Sequence, residues 1–212
     1  QHANIVVCQL LGSQVNSDVH ESIEFVVIAY EFGLNNALLG VRRMLSLVWS
    51  KDNDIKNKVV DAYTRLYLNP QVQGARAKAE AIVKNLCALL DGASIGDLTS
   101  LDELVYKLMK TNLITKNVIH LLWEKFSMKD PQGTQEESRS ALKLLGMLAR
   151  GKHEIVKSNI EVLVNIGFGE RSKDDPLLVR DTCTILLTLN KTEEMVHDDK
   201  EGPLRFSSDH IM

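Results

Sequence analysis

The chain has 212 residues, 44% of them hydrophobic and 25% charged, with a formal net charge of −3. That composition can bury a sizeable core and excludes a disordered chain. A sequence pI near 6.1 excludes a surface that is basic all over, so any nucleic-acid contact has to come from a local patch. The opening QHANIVVCQLLG has no initiating Met, no basic segment and only a short apolar run, and is expected to be the end of a helix from a longer protein rather than a signal peptide. Almost every segment from there on spaces its apolar residues with a helical period and almost none alternates in twos, which predicts an all-α fold. Helices are predicted over 3–12, 18–32, 36–50, 53–68, 73–91, 100–110, 115–127, 135–150, 153–167 and 176–190. Asn69-Pro70, Asp91-Gly92 and Gly151 stand where helices should stop. Ser100 with Glu103 predicts a capping box, and Asp175-Pro176 places a cap residue before a proline at the first helical position. No run approaches the ~20 apolar residues that cross a bilayer.

Several of these helices share a template: an aliphatic residue, a basic one, then small or apolar residues four, seven and eight positions on. Val179-Arg180-Asp181-Thr182-Cys183 with Leu186 and Leu187 fits it best, and Ile55-Lys56-Asn57-Lys58-Val59 with Ala62 and Tyr63 fits well. Val19-His20 through Val26 and Val27 fits less well, and Ser138-Arg139 through Leu145 is degenerate. The starts lie 36, 83 and 41 residues apart, the middle interval holding two periods with one diverged copy. A period of about 40 matches helix-pair repeats of the HEAT type. The expected architecture is therefore an α-solenoid of HEAT-type helical hairpins, an ARM/HEAT superhelix. About five helix pairs, one diverged, are expected over residues 1–190, and an acidic, weakly patterned tail or the start of a further repeat over 191–212.

In GVRRMLSLVWSKDNDIKNKVVDAYTRLYLNP, Leu38, Val41, Leu45 and Val48 are predicted to pack on Ile55, Val59, Ala62 and Leu66 of the following helix. Leu47 and Trp49 fall outside that stripe, as they would where a helix is also buried against the next repeat. Arg42, Arg43, Ser46 and Ser50 form the polar side. Charge is uneven: residues 1–39 carry no Lys or Arg and four acids, whereas 40–84 carry nine bases against four acids. Such a block is either an electrostatic footprint for phosphate or an ordinary solvated face. Asp61 and Arg65 have the spacing of an i,i+4 pair. A milder basic stretch at 139–180 includes Arg139, Lys143, Arg150 and Arg180, the last of these expected to pair with internal acids.

No enzymatic motif is complete. Gly167-Phe168-Gly169 starts like a dinucleotide loop, but Ser172 replaces the third glycine, and a helix stop is expected instead. His153-Glu154 has Lys157 where a zinc helix needs its second histidine. His120 and Glu124 could share a surface hydrogen bond. Cys8, Cys87 and Cys183 show no C-x-x-C spacing and suit an intracellular protein with reduced thiols, Cys87 and Cys183 reading as packing atoms. Trp123 is expected in the core or between repeats. No catalytic residue, cofactor, metal or small-molecule substrate is expected.

GVRRMLSLVWS, DAYTRLYLNP, LLWEKF and above all LLGMLARGKHEIVKSNIEVLVNIG together resemble a central stretch of the HEAT-repeat non-SMC subunits of condensin, over residues 18 to 190 in one consistent order. The resemblance implies an internal segment of a much longer subunit that binds the kleisin subunit, works beside the SMC ATPase heads and helps engage double-stranded DNA in mitotic chromosome condensation. It also implies a nuclear and chromosomal location, with a cytoplasmic pool, and leaves ATP hydrolysis to the SMC subunits. The family offers no short site motif, so the charge pattern supplies the candidates: Arg42, Arg43, Lys51, Lys56 and Lys58 are the expected phosphate contacts. An extended kleisin peptide would suit the same kind of surface. Two rivals remain open: a general HEAT scaffold or transport receptor that binds protein only, and an enzyme on a HEAT-like fold such as a DNA-lesion glycosylase.

Overall fold

The computed structural model describes residues 2–198, with side chains described from Val6 to Leu189. Among these residues there are eleven α-helices and no strand. They are α1 (His2–Leu10), α2 (Asn16–Glu31), α3 (Ala37–Met44), α4 (Asn53–Tyr63), α5 (Ala75–Leu90), α6 (Ile95–Leu108), α7 (Lys116–Phe126), α8 (Gln135–Gly151), α9 (Glu154–Lys157), α10 (Ile160–Gly167) and α11 (Pro176–Asp198). Helices α2, α4, α6, α8 and α11 form one row, each touching the next, with α1 and α3 and then α5 and α7 packed behind it. This is an all-α helical-repeat array of the solenoid kind expected from the sequence.

Local chemistry sets most of the boundaries. Asp52 caps α4 by accepting from the backbone N–H of Asp54 at 2.7 Å, and Asp175 caps α11 by accepting from Leu178 N at 3.1 Å. Thr134 with Glu137 forms a full capping box at α8. The box expected at Ser100 and Glu103 lies one and a half turns earlier, where Ser94 and Asp97 cap α6 reciprocally. Ser100 is mid-helix and buried, donating to Gly96 O and accepting from the Trp49 indole at 3.1 Å. Trp49 thus reaches the next helix pair as its position suggested, although 53% of it stays exposed.

The 36–50 prediction is one α-helix, but the chain tightens into a 3₁₀ turn over Leu45–Trp49. Val41, Leu45 and Val48 are buried as expected, whereas Leu38 is 48% exposed. At the end of α4 a π turn over Thr64–Leu68 shifts the buried face, so Tyr67 and Leu68 enter the core and Leu66 is only half-buried. Tyr63 is fully buried, donating to Val41 O at 2.6 Å, and burial pushes its hydroxyl well above the usual range. The predicted helix 153–167 is broken at Ser158 and Asn159 into α9 and α10. In α11 the buried apolar positions and Thr182 (Leu178, Thr182, Ile185 and Leu189) lie one residue off the repeat template, with Asp181 buried beside them, so Cys183 is exposed rather than packed. Cys87 does pack, and burial pushes its thiol up to about 11. Trp123 is in the core, edge-on to Phe126.

Candidate nucleic-acid interface

Arg42 and Arg43 end α3 and part from one another. Arg42 donates through Nη1 and Nη2 to the carbonyls of Gly92 and Asp91, which follow α5, and Arg43 donates through Nη1 to Cys8 O in the last turn of α1 at 3.5 Å. Both cations therefore sit at helix C-termini, where orphan carbonyls and the helix dipole favour positive charge. The pair stitches three back-row helices together while both side chains stay exposed. Each guanidinium has five N–H donors, so both retain open ones.

Lys51 and Lys56 flank the N-terminus of α4, and neither side chain has a hydrogen bond or ion pair among the described residues, although the Lys56 backbone N–H donates to Asp52 O at 3.2 Å. Asp52 stands between them, its carboxyl held below the usual range chiefly by the Asp54 N–H. Lys58 points the other way, onto Glu24 of α2 at 2.9 Å. Arg65 bypasses Asp61 and joins the same cluster, with Nη1 on Glu24 at 2.9 Å and Nε on Glu31 at 2.7 Å. The expected i,i+4 pair with Asp61 gives way because the carboxylates of the neighbouring helix allow bidentate contact. Arg76 is held by Glu80 at 2.9 Å. The basic block is thus partly neutralised from within, and the five candidates do not share one partner-free surface.

The ion pairs recur between rungs of the front row. Arg150 of α8 meets Asp102 and Glu103 of α6 at 2.7 and 2.8 Å, and Arg139 of α8 meets Asp175 at the start of α11 at 3.2 Å. Arg180, expected to have an internal acid, pairs with its neighbour Asp181 at 2.7 Å. A groove of about 400 Å³ lies over α8 between α6 and α11. The sequence marks its cations only as a mildly basic stretch, although Lys143, Gly146, Met147 and Arg150 already have the spacing of one helix face. His120 and Glu124 are in reach on the surface at 3.4 Å. Among the described residues no three His, Cys, Asp or Glu side chains are grouped to hold a metal, and no helix is long and apolar enough to cross a membrane.

No protein-family model matches the chain. Condensin complex subunit 1 of Xenopus laevis is 40% identical over 207 residues, 98% of this chain and 15% of that protein. The subunit of the same name from Mus musculus is 37% identical over 97% of this chain and 15% of its own length, and that from Saccharomyces cerevisiae 34% identical over 85% and 17%. Two solved engineered proteins cover 88% and 87% of the chain at a TM-score of 0.33, too slight a likeness to bear on its fold. The chain spans about 15% of the length of the vertebrate relatives it matches. On this identity, sustained from vertebrates to yeast along nearly the whole chain, it belongs to the condensin complex subunit 1 family.

Proposed function

We propose that this chain is a non-catalytic scaffold segment of condensin's HEAT-repeat subunit, acting in the nucleus and on chromosomes with a cytoplasmic pool. It binds the kleisin subunit, works beside the SMC heads and helps engage double-stranded DNA. The 40% identity to condensin complex subunit 1 of Xenopus laevis over 98% of the chain carries this reading. Support for DNA contact comes from Lys51 and Lys56, which have no internal partner, and from the open donors of Arg42 and Arg43. Lys58 ranks behind them, because it has to leave Glu24 to reach a phosphate.

A protein-only scaffold is the second reading, favoured by the pairing of Lys58, Arg65 and Arg76 with carboxylates of the chain itself. Fluorescence anisotropy of a labelled duplex of about 30 base pairs, titrated at several salt concentrations, separates the two. Binding that weakens steeply with salt and drops about tenfold in the Lys51→Glu/Lys56→Glu double variant, ~1.4 kcal/mol, supports DNA contact. Wild type and variant that are equally inert leave the protein-only scaffold. Co-expression with the kleisin subunit tests the other half, and co-elution on size exclusion is the expected result.

A further inference from the structure

Four aromatic side chains are exposed among the described residues: Phe25, Phe32, Trp49 and Phe168. Phe25 and Phe32 lie in a stretch without Lys or Arg, and the cations that reach α2, Lys58 and Arg65, are held by Glu24 and Glu31. Just after Phe168, Arg171 turns inward onto Phe126 O and Ser138, and Lys173 is held by Glu170 at 2.6 Å. Of the four, Trp49 is the one followed by cations whose side chains have no partner: Lys51 two residues on, and Lys56 in the first turn of α4.

The indole is held in place. Its Nε1 donates to Ser100 Oγ at 3.1 Å, and Ser100, itself buried, donates to Gly96 O at 3.1 Å. That fixes the Nε1 edge against α6 while 53% of the side chain stays open. Among the described residues no other ring and no cation covers it, whereas the Tyr106 ring carries Lys110 and Arg150, each at 5.0 Å. Between the two lysines, Asp52 turns Oδ1 to the backbone N–H groups of Asp54 and Ile55 and Oδ2 to Asn16. Of the charged side chains from 51 to 57, Asp54 alone is then left to oppose Lys51 and Lys56.

We infer that Trp49 is a stacking platform for an unpaired base, so that the surface around Lys51 takes single-stranded nucleic acid, with Lys51 and Lys56 on its phosphates. A duplex presents its base edges in the grooves and keeps its base faces stacked inside, so an exposed indole face meets a base only where the strand is unpaired. A ring already held by its edge loses little freedom when a base arrives. Every base has a π face, so the site selects for unpaired strand and not for sequence. The inference rests on the DNA-contacting half of the function proposed above and adds to it a ligand that a duplex does not replace.

The test titrates the 212-residue chain with labelled oligothymidylate and oligouridylate of about 15 nucleotides, beside the duplex used above. The two strands separate DNA from RNA as the source of the ligand. Anisotropy should show binding of at least one of them, and saturation with the same strand unlabelled should quench tryptophan emission at Trp49, since Trp123 lies in the core. Trp49→Leu and Trp49→Phe both remove the bond to Ser100, so only the ring distinguishes them. Trp49→Leu should lose at least about fivefold in single-strand affinity and Trp49→Phe should recover most of it, with duplex affinity and helical circular dichroism unchanged in both. No single-strand binding, emission unchanged at saturation, or equal affinities of the Leu and Phe variants would each overturn the inference. A duplex that binds where the single strands do not leaves the DNA reading standing, so the two failures are told apart.

Discussion

Gly167→Ala probes how closely the helices of this array approach. Gly167 closes α10 against α11, and a Cβ there would stand 2.3 Å from Thr182 Oγ1, 2.5 Å from Cγ2 and 2.9 Å from Cβ. Thr182 is fully buried, and its hydroxyl is fixed by a 2.8 Å bond to Leu178 O. Rotating the side chain cannot relieve the clash, because Thr182 Cβ is itself one of the three atoms. The helices have to separate, and overpacking of this kind costs about 1–3 kcal/mol. Alanine is also the better helix former by up to about 1 kcal/mol, so a position with room would gain stability. The expected net loss is about 1–2 kcal/mol, or a fall in Tm of about 2–8 °C for a chain of this size. Urea unfolding followed by circular dichroism measures it, with Thr182→Ala and the double variant alongside. Removing Oγ1 and Cγ2 deletes the two shorter contacts, so the Gly167→Ala cost should shrink in that background. A Gly167→Ala protein as stable as wild type, or an equal cost in both backgrounds, would refute the close approach.

Ser138 is fully buried, donates to Phe126 O at 2.7 Å and accepts from Arg171 Nη2 at 2.7 Å. Ser138→Ala should therefore cost about 1–3 kcal/mol by stranding a guanidinium donor, and an unchanged urea midpoint would count against that role. Asp175 caps α11 and holds Arg139 from a 3% exposed position, so Asp175→Ala should cost about 3 kcal/mol while Asp175→Asn, which keeps an acceptor, should cost less. Equal losses in the two variants would mean that the charge alone matters. Lys58 above all, with Arg65, holds the Glu24 carboxyl below its ordinary 4.5 despite some desolvation. A depressed carboxyl stabilises the fold above its ordinary value and loses that stabilisation as pH falls through the lower folded value. Melting temperatures of wild type and Glu24→Gln should accordingly differ at neutral pH and converge in acid; curves that stay parallel would contradict the linkage.

The helical character of nearly every segment was legible because an apolar stripe with a period near 3.6 survives whatever packs against it. Asp175-Pro176 and Gly151 were legible for a local reason, since a cap or a stop is decided by the residue and its own turn. Ser100 misled because its surroundings are tertiary: the hydroxyl that could have capped a helix instead receives the Trp49 indole from the preceding pair. Arg65 misled in the same way. Asp61 lies on its own helix, but Glu24 and Glu31 lie on the adjacent one, and no spacing along the chain records that. The π turn at Thr64–Leu68 and the one-residue offset in α11 move burial from one column of side chains to the next, and such shifts escape a fixed template. For the candidate site, the count of bases was visible but not their neutralisation, which depends on the pairing of rows.

That pairing makes the salt dependence of DNA binding a test of individual lysines. Each phosphate neutralised on duplex DNA contributes about −0.9 to the slope of log K against log salt. Lys51 and Lys56 have no internal partner to surrender, and Arg42 and Arg43 can use donors left open by their carbonyl contacts. Four such contacts give a slope of about −3.6. Lys58, occupied by Glu24 at 2.9 Å, adds nothing until that contact is broken. Lys58→Gln should therefore leave the slope unchanged, while Lys51→Gln and Lys56→Gln should each flatten it by about 0.9. Glu24→Gln releases Lys58 and should steepen it towards about −4.5. If Glu24→Gln leaves the slope where it was, the Glu24–Lys58 pair does not govern the availability of that cation, and the division of the basic block into free and occupied residues is wrong.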